Sequence, residues 1–77
     1  MKITVYSVPI CPECIQLKEW LKENNVKFET VNVAVEQEKR KAVIEKSGQR
    51  TVPITEIDGK IIIGFDKEKL RKALRIK

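Results

Sequence analysis

The sequence predicts one α/β domain over residues 1–77, ordered β-α-β-α-β-β-α, with a four-stranded mixed sheet and helices packed on its faces. Three observations predict it. First, an apolar, strand-like start is followed by a helical stretch and a second strand-like stretch, which calls for a parallel pair with a right-handed crossover. Second, two short Ile-rich runs flank Asp58-Gly59, a strong signal for a two-residue hairpin turn. Third, each remaining segment carries apolar residues at helical spacing.

Residues 2–6 form a short strand with Ile3 and Val5 on one face. Ser7-Val8-Pro9-Ile10 leads into Cys11-Pro12-Glu13-Cys14, where Pro12 suits the first helical position because its fixed φ helps and its missing N–H costs nothing. Cys14, Leu17 and Leu21 then recur on one face of an amphipathic helix that ends near Asn24-Asn25. Trp20, at helical spacing from Leu17, belongs to core packing rather than to a substrate platform. Residues 26–33 make the second strand. Residues 36–47 make a highly charged second helix with Val43 and Ile44 as its core positions, closed by Gly48. Strands follow at 54–57 and 60–63, and Gly64-Phe65-Asp66 leads into a last helix with Leu70, Ala73 and Leu74 on one face.

With 77 residues and 42% apolar content the chain can build one small core, and a domain of this size buries about 60% of its unfolded surface. The net charge is +5, but the cations are interleaved with Glu, as in Lys18-Glu19 and Glu38-Lys39-Arg40-Lys41. That pattern is a solvated, ion-paired surface and argues against nucleic-acid binding. No apolar run approaches membrane-spanning length and no leader pattern precedes the first strand, so a cytoplasmic protein with no membrane partner is expected.

The two cysteines sit three positions apart at a strand-to-helix junction, so they staple nothing distant. The spacing places Cys11 before the helix and exposed, and Cys14 on the buried stripe. Unpaired N–H groups and the dipole at a helix N-terminus favour a thiolate. Three readings of the pair stand side by side. In a dithiol/disulfide couple, one thiolate attacks a substrate disulfide and the other, a helical turn along, resolves the mixed disulfide. In a metal site the pair is half of a tetrahedral set, and the chain has no His and no other Cys, so two chains would share zinc or an iron–sulfur centre. In the third, the pair is structural and the domain is a non-catalytic adaptor. The redox reading is preferred.

Tyr6-Ser7 before Cys11-Pro12-Glu13-Cys14, then Gly48-Gln49-Arg50-Thr51-Val52-Pro53, then Gly64-Phe65-Asp66, resembles the glutaredoxin branch of the thioredoxin superfamily, with the motifs in order over nearly the whole chain. The resemblance implies a thioredoxin-like fold and a monomeric thiol–disulfide oxidoreductase in electron transport and cell redox homeostasis, with no bound cofactor and glutathione as a conceivable co-substrate. It implies Cys11 as nucleophile and Cys14 as resolving thiol. It also implies a cis Pro53 beside the sulfurs and a Val52 backbone that pairs with an extended substrate. On its own, Pro53 reads as an ordinary trans proline opening an edge strand. Pro12, Glu13 and Tyr6 shape the site on this resemblance, and Gln49, Arg50, Thr51, Gly64, Phe65 and Asp66 are candidates for substrate contact. The alternative readings are a solvated loop for Gln49 and Arg50, a strand end for Tyr6, a solvated first-turn acid for Glu13, and a helix N-cap for Asp66. The N-cap is preferred.

The sequence departs from glutathione-using members of that family at three places. Val8 stands where a lysine is common, Glu13 where an aromatic is common, and Ile63-Gly64 where paired glycines are common. Losing a cation and gaining a carboxylate both disfavour an anionic thiol. Gly64-Phe65 resembles the small redoxins that serve ribonucleotide reductase and draw electrons from thioredoxin reductase. The expected partners are therefore a disulfide-containing protein and a reductase of the thioredoxin reductase type, with glutathione second.

Overall fold

A computed structural model describes residues 2–76. The elements are β1 (Ile3–Ser7), α1 (Pro12–Glu23), β2 (Glu29–Asn32), α2 (Gln37–Ser47), β3 (Ile54–Ile57), β4 (Lys60–Ile63) and α3 (Lys67–Leu74). The sheet order is β2-β1-β3-β4. β1 pairs parallel with β2, Tyr6 opposite Val31, and antiparallel with β3, Val5 opposite Thr55. β3 and β4 form the expected hairpin, Ile57 opposite Lys60. Its turn places both Asp58 (φ 47°) and Gly59 (φ 89°) at positive φ, the geometry that matches the right-handed twist of the flanking strands.

Alternation along the strands sends side chains to two cores. Ile3, Val5, Ile57 and Ile62 meet Leu17, Trp20 and Leu21 of α1 and Leu70 and Leu74 of α3. On the opposite face Val31, Val33 and Ile54 meet Val43 of α2. The mixed sheet and the helices on both faces agree with the sequence reading.

Two boundaries and one core position differ. The second strand is four residues long rather than running from 26, because the Val26 N–H is taken by the Leu21 carbonyl at 2.9 Å in closing α1. Val26 and Phe28 pack against the α1 core instead of extending the ladder. The first strand runs one residue further, since Ser7 pairs with Asn32. In α2 only Val43 is buried; Ile44, expected in the core, is half-buried and lines a cleft with Gln37, Arg40, Lys41 and Arg50. One residue of offset, about 100° around a helix that touches the sheet along a narrow stripe, is enough to take it out.

Candidate active site

The end of β1 and the start of α1 set the two thiols. Cys11 is the N-cap of α1, with extended backbone (φ −143°, ψ 104°), and Pro12 opens the first turn. The Cys11 carbonyl accepts the Ile15 N–H at 3.1 Å. Its Sγ accepts the Cys14 N–H at 3.2 Å, so sulfur takes the place that a Ser or Asp oxygen fills at most helix starts. The N–H end of the first turn is thereby aimed at Cys11 Sγ.

Cys14 lies one turn on and its side chain is fully buried, whereas Cys11 is half-exposed; both are free thiols. Burial pushes the Cys14 thiol up to about 11. The hydrogen bond with Cys11 adds to the rise, and the Val8 backbone and the Lys18 charge oppose it. The exposure difference expected from spacing is what the fold produces.

Two loops close on this helix start. The Val52–Pro53 peptide bond is cis, and Pro53 is buried. The Pro53 carbonyl accepts the Gly64 N–H at 2.8 Å, which joins the 49–53 loop to the segment after β4. Gly64 holds φ 76°, a left-handed conformation that suits glycine. Glu13 then bridges to the same segment: its Oε1 accepts the Phe65 N–H at 3.0 Å, across 52 positions of sequence. The Phe65 ring sits edge-on to Trp20 at 6.1 Å, beneath the Lys67 ammonium at 5.5 Å from its centroid.

The sequence-derived candidates therefore divide. Cys11, Pro12, Glu13, Cys14, Pro53, Gly64 and Phe65 are tied together by the bonds just described. Val52 is half-buried and packs with Val8 and Tyr6 against the α2-side core. The Tyr6 hydroxyl donates to Glu56 Oε1 at 3.2 Å, with Lys46 Nζ 3.4 Å from the same carboxylate. Burial, then the Glu56 charge, raises the Tyr6 phenol above its ordinary value. Gln49, Arg50 and Thr51 are exposed; Thr51 Oγ1 donates to Gln49 Oε1 at 3.2 Å, and Arg50 borders the cleft over α2. Asp66 caps α3, accepting the Lys69 N–H at 3.1 Å, as its position before the helix suggested. Among the described residues no group of three or more His, Cys, Asp or Glu side chains is gathered as a metal cage, and no helix is long and apolar enough to cross a membrane.

The sequence offers Glu13 two roles, and a bond to Phe65 is neither of them. A first-turn Glu facing a glycine-containing loop is the only signal the sequence carries for that contact, and it does not specify a partner.

Residues 3–62 match the family described as Glutaredoxin. The chain is 43% identical over 72 residues to an uncharacterized glutaredoxin-like 8.6 kDa protein in the rubredoxin operon of Clostridium pasteurianum, covering 94% of this chain and 96% of that one. Among solved structures it is similar to a mutant of a thioredoxin-like protein, with a TM-score of 0.92, 38% identity, and coverage of 99% and 97% of the two chains. It is also similar to the NrdH-redoxin of Escherichia coli, with a TM-score of 0.85, 25% identity, and coverage of 94% and 93%. That protein is a glutaredoxin-like protein with a thioredoxin-like activity profile.

Proposed function

Because the chain belongs to the glutaredoxin family, with thiol redox chemistry as its function, we propose that it reduces protein disulfides by dithiol exchange through Cys11 and Cys14. The observation that carries this reading is the Cys11 sulfur capping α1 over a fully buried Cys14. The accessible Cys11 thiolate attacks one sulfur of a substrate disulfide, forms a mixed disulfide and releases the first substrate thiolate, which takes up a proton. Cys14 then gives up its proton and attacks the Cys11 sulfur. The Cys11–Cys14 disulfide forms and the second substrate thiol leaves, so two electrons have passed to the substrate.

The order of the thiols follows from their surroundings. With its thiol at about 11, only about one Cys14 in ten thousand is ionised at pH 7, so Cys14 does not compete for the first attack. The helix N-terminus and the accessible sulfur suit Cys11 to that step. The electrons are carried by the two sulfurs, and no bound cofactor is required.

Protein substrates suit the surroundings of the thiols. Ile10 (93% exposed) and Ile15 (49%) flank them and offer apolar area to a partner surface. The Val52 backbone beside Pro53 offers an edge for an extended substrate segment. For the electron donor we favour a reductase of the thioredoxin reductase type over glutathione. Val8 supplies no cation and Glu13 supplies a negative charge near Cys11. The thioredoxin-like activity profile of the similar E. coli protein points the same way.

A two-donor assay tests this, following NADPH consumption by the oxidised protein with either thioredoxin reductase or glutathione plus glutathione reductase. Turnover with thioredoxin reductase is the expected result. Turnover with glutathione alone overturns the donor assignment, and turnover with neither donor nor dithiothreitol overturns dithiol exchange.

A further inference from the structure

Glu13 is an exposed residue in the first turn of α1, a place where a carboxylate is ordinarily solvated and worth only a fraction of a kcal/mol to the helix. Here it is anchored. Its Oε1 accepts the Phe65 N–H at 3.0 Å, and the position a Cβ would take on Gly64 lies 3.5 Å from the same oxygen. The Gly64 N–H is in turn held by the Pro53 carbonyl. The carboxylate is thus fixed between the thiol-bearing helix and the two loops that flank it, two residues from Cys11. The whole chain carries +5, which draws anions from a distance, but the fixed charge beside the nucleophile has the opposite sign.

We infer that Glu13 is a specificity-determining residue: anchored on the Phe65 amide, it selects against disulfides that carry negative charge next to the reacting sulfurs and favours those flanked by neutral or basic groups. This rests on the dithiol-exchange reading above and names the substrate class for it. The selection acts in the first step, when the Cys11 thiolate forms a bond to one substrate sulfur, the substrate S–S bond breaks and the other half leaves as a thiol. A charge on the incoming half then comes within the range of the carboxylate. Protein disulfides flanked by Lys or Arg are the preferred class, and glutathione disulfide, with net negative charge on each half, is the disfavoured one.

The test uses the reduced protein and three small disulfides of different charge: cystamine (cationic), hydroxyethyl disulfide (neutral) and glutathione disulfide (anionic). Loss of the reduced thiols is followed in wild type and in Glu13→Gln, which keeps an acceptor for the Phe65 N–H while removing the charge. Each disulfide is its own control through the variant-to-wild-type rate ratio. The expected result is a ratio for glutathione disulfide about two- to threefold above that for hydroxyethyl disulfide, and a ratio for cystamine lower by a similar factor. That is the effect of one unit charge roughly 6–8 Å from another in water. The spread should collapse near 1 M salt, where the screening length is about 3 Å. Equal ratios for all three disulfides overturn the inference. A reduced wild type that reacts with none of them overturns the dithiol-exchange reading instead, so the two failures are distinct.

Discussion

Helices α1 and α2 are nearly equal in length, twelve and eleven residues, and cover opposite faces of the same sheet, yet they are built differently. α1 buries Cys14, Leu17, Trp20 and Leu21 and is capped by the Cys11 sulfur. α2 buries Val43 alone, and its N-cap, Glu36, makes no side-chain cap bond. Its Glu36–Lys39 ion pair, 3.6 Å apart, is largely solvated and adds little. The difference teaches that packing and chemistry share one helix here. The burial that anchors α1 also pushes the Cys14 thiol up, and on the dithiol exchange proposed above the cap that starts α1 is the reactive sulfur. α2 is a cover whose sequence answers mainly to solvent.

The comparison breaks most sharply at the thiols. Cys11→Ser should cost roughly three orders of magnitude or more in disulfide reduction, as loss of a nucleophile does, while serine still caps α1 and the thermal midpoint moves little. Arg40→Ala on α2 should leave turnover within about twofold; an equal loss from both would end the asymmetry. Next come the cores. Leu17→Ala should cost about 2–5 kcal/mol, read from the denaturant midpoint, whereas Ile44→Ala, at a half-buried position, should cost under about 1 kcal/mol.

A third prediction concerns pH. A free thiol titrates near 8.5, and the folded Cys14 near 11. Between those values the unfolded chain has released the proton and the folded chain still holds it. Stability is therefore flat on this account below about pH 8 and falls as pH rises toward 11, with a limiting slope of about 1.4 kcal/mol per pH unit. Calorimetry of wild type against Cys14→Ala should show that slope removed in the variant. The smallest effects are at the caps. Asp66→Ala should cost about 1 kcal/mol because the Lys69 N–H loses its acceptor, and Glu36→Ala only a few tenths; thermal midpoints resolve the two.

What the sequence made legible follows the range of the interaction. Asp58-Gly59, Pro12, Gly48 and Asp66 act on backbone within a few residues, and each sits where its local chemistry places it. Cys14 and Leu17 were legible because period alone assigns a helix face. The early end of β2 was not, since Val26 has equal claims as a strand residue and as a helix-closing donor, and only the packed sheet decides between them. The division of labour in α2 between Val43 and Ile44 depends on where the helix sits against β2 and β3. The Glu13–Phe65 bond needs residues 52 apart to meet at a set distance, which no local pattern encodes. The cis bond before Pro53 was expected from family resemblance, whereas the residues alone favoured trans.

On the dithiol exchange proposed above, the Cys11 sulfur is bound to the helix in the reduced state and to Cys14 Sγ in the oxidised one, so capping and reduction draw on a common thermodynamic cycle. In the reduced protein the Cys14 N–H has Cys11 Sγ as acceptor, and a thiolate accepts it more strongly than a disulfide sulfur does. Whatever the cap contributes to the reduced form is subtracted from the stability of the Cys11–Cys14 disulfide. A cap worth about 1 kcal/mol raises the two-electron potential by about 20 mV. The first turn of α1 is in that sense a tuning element of the redox couple, and amide exchange at Cys14 in the two states measures its setting.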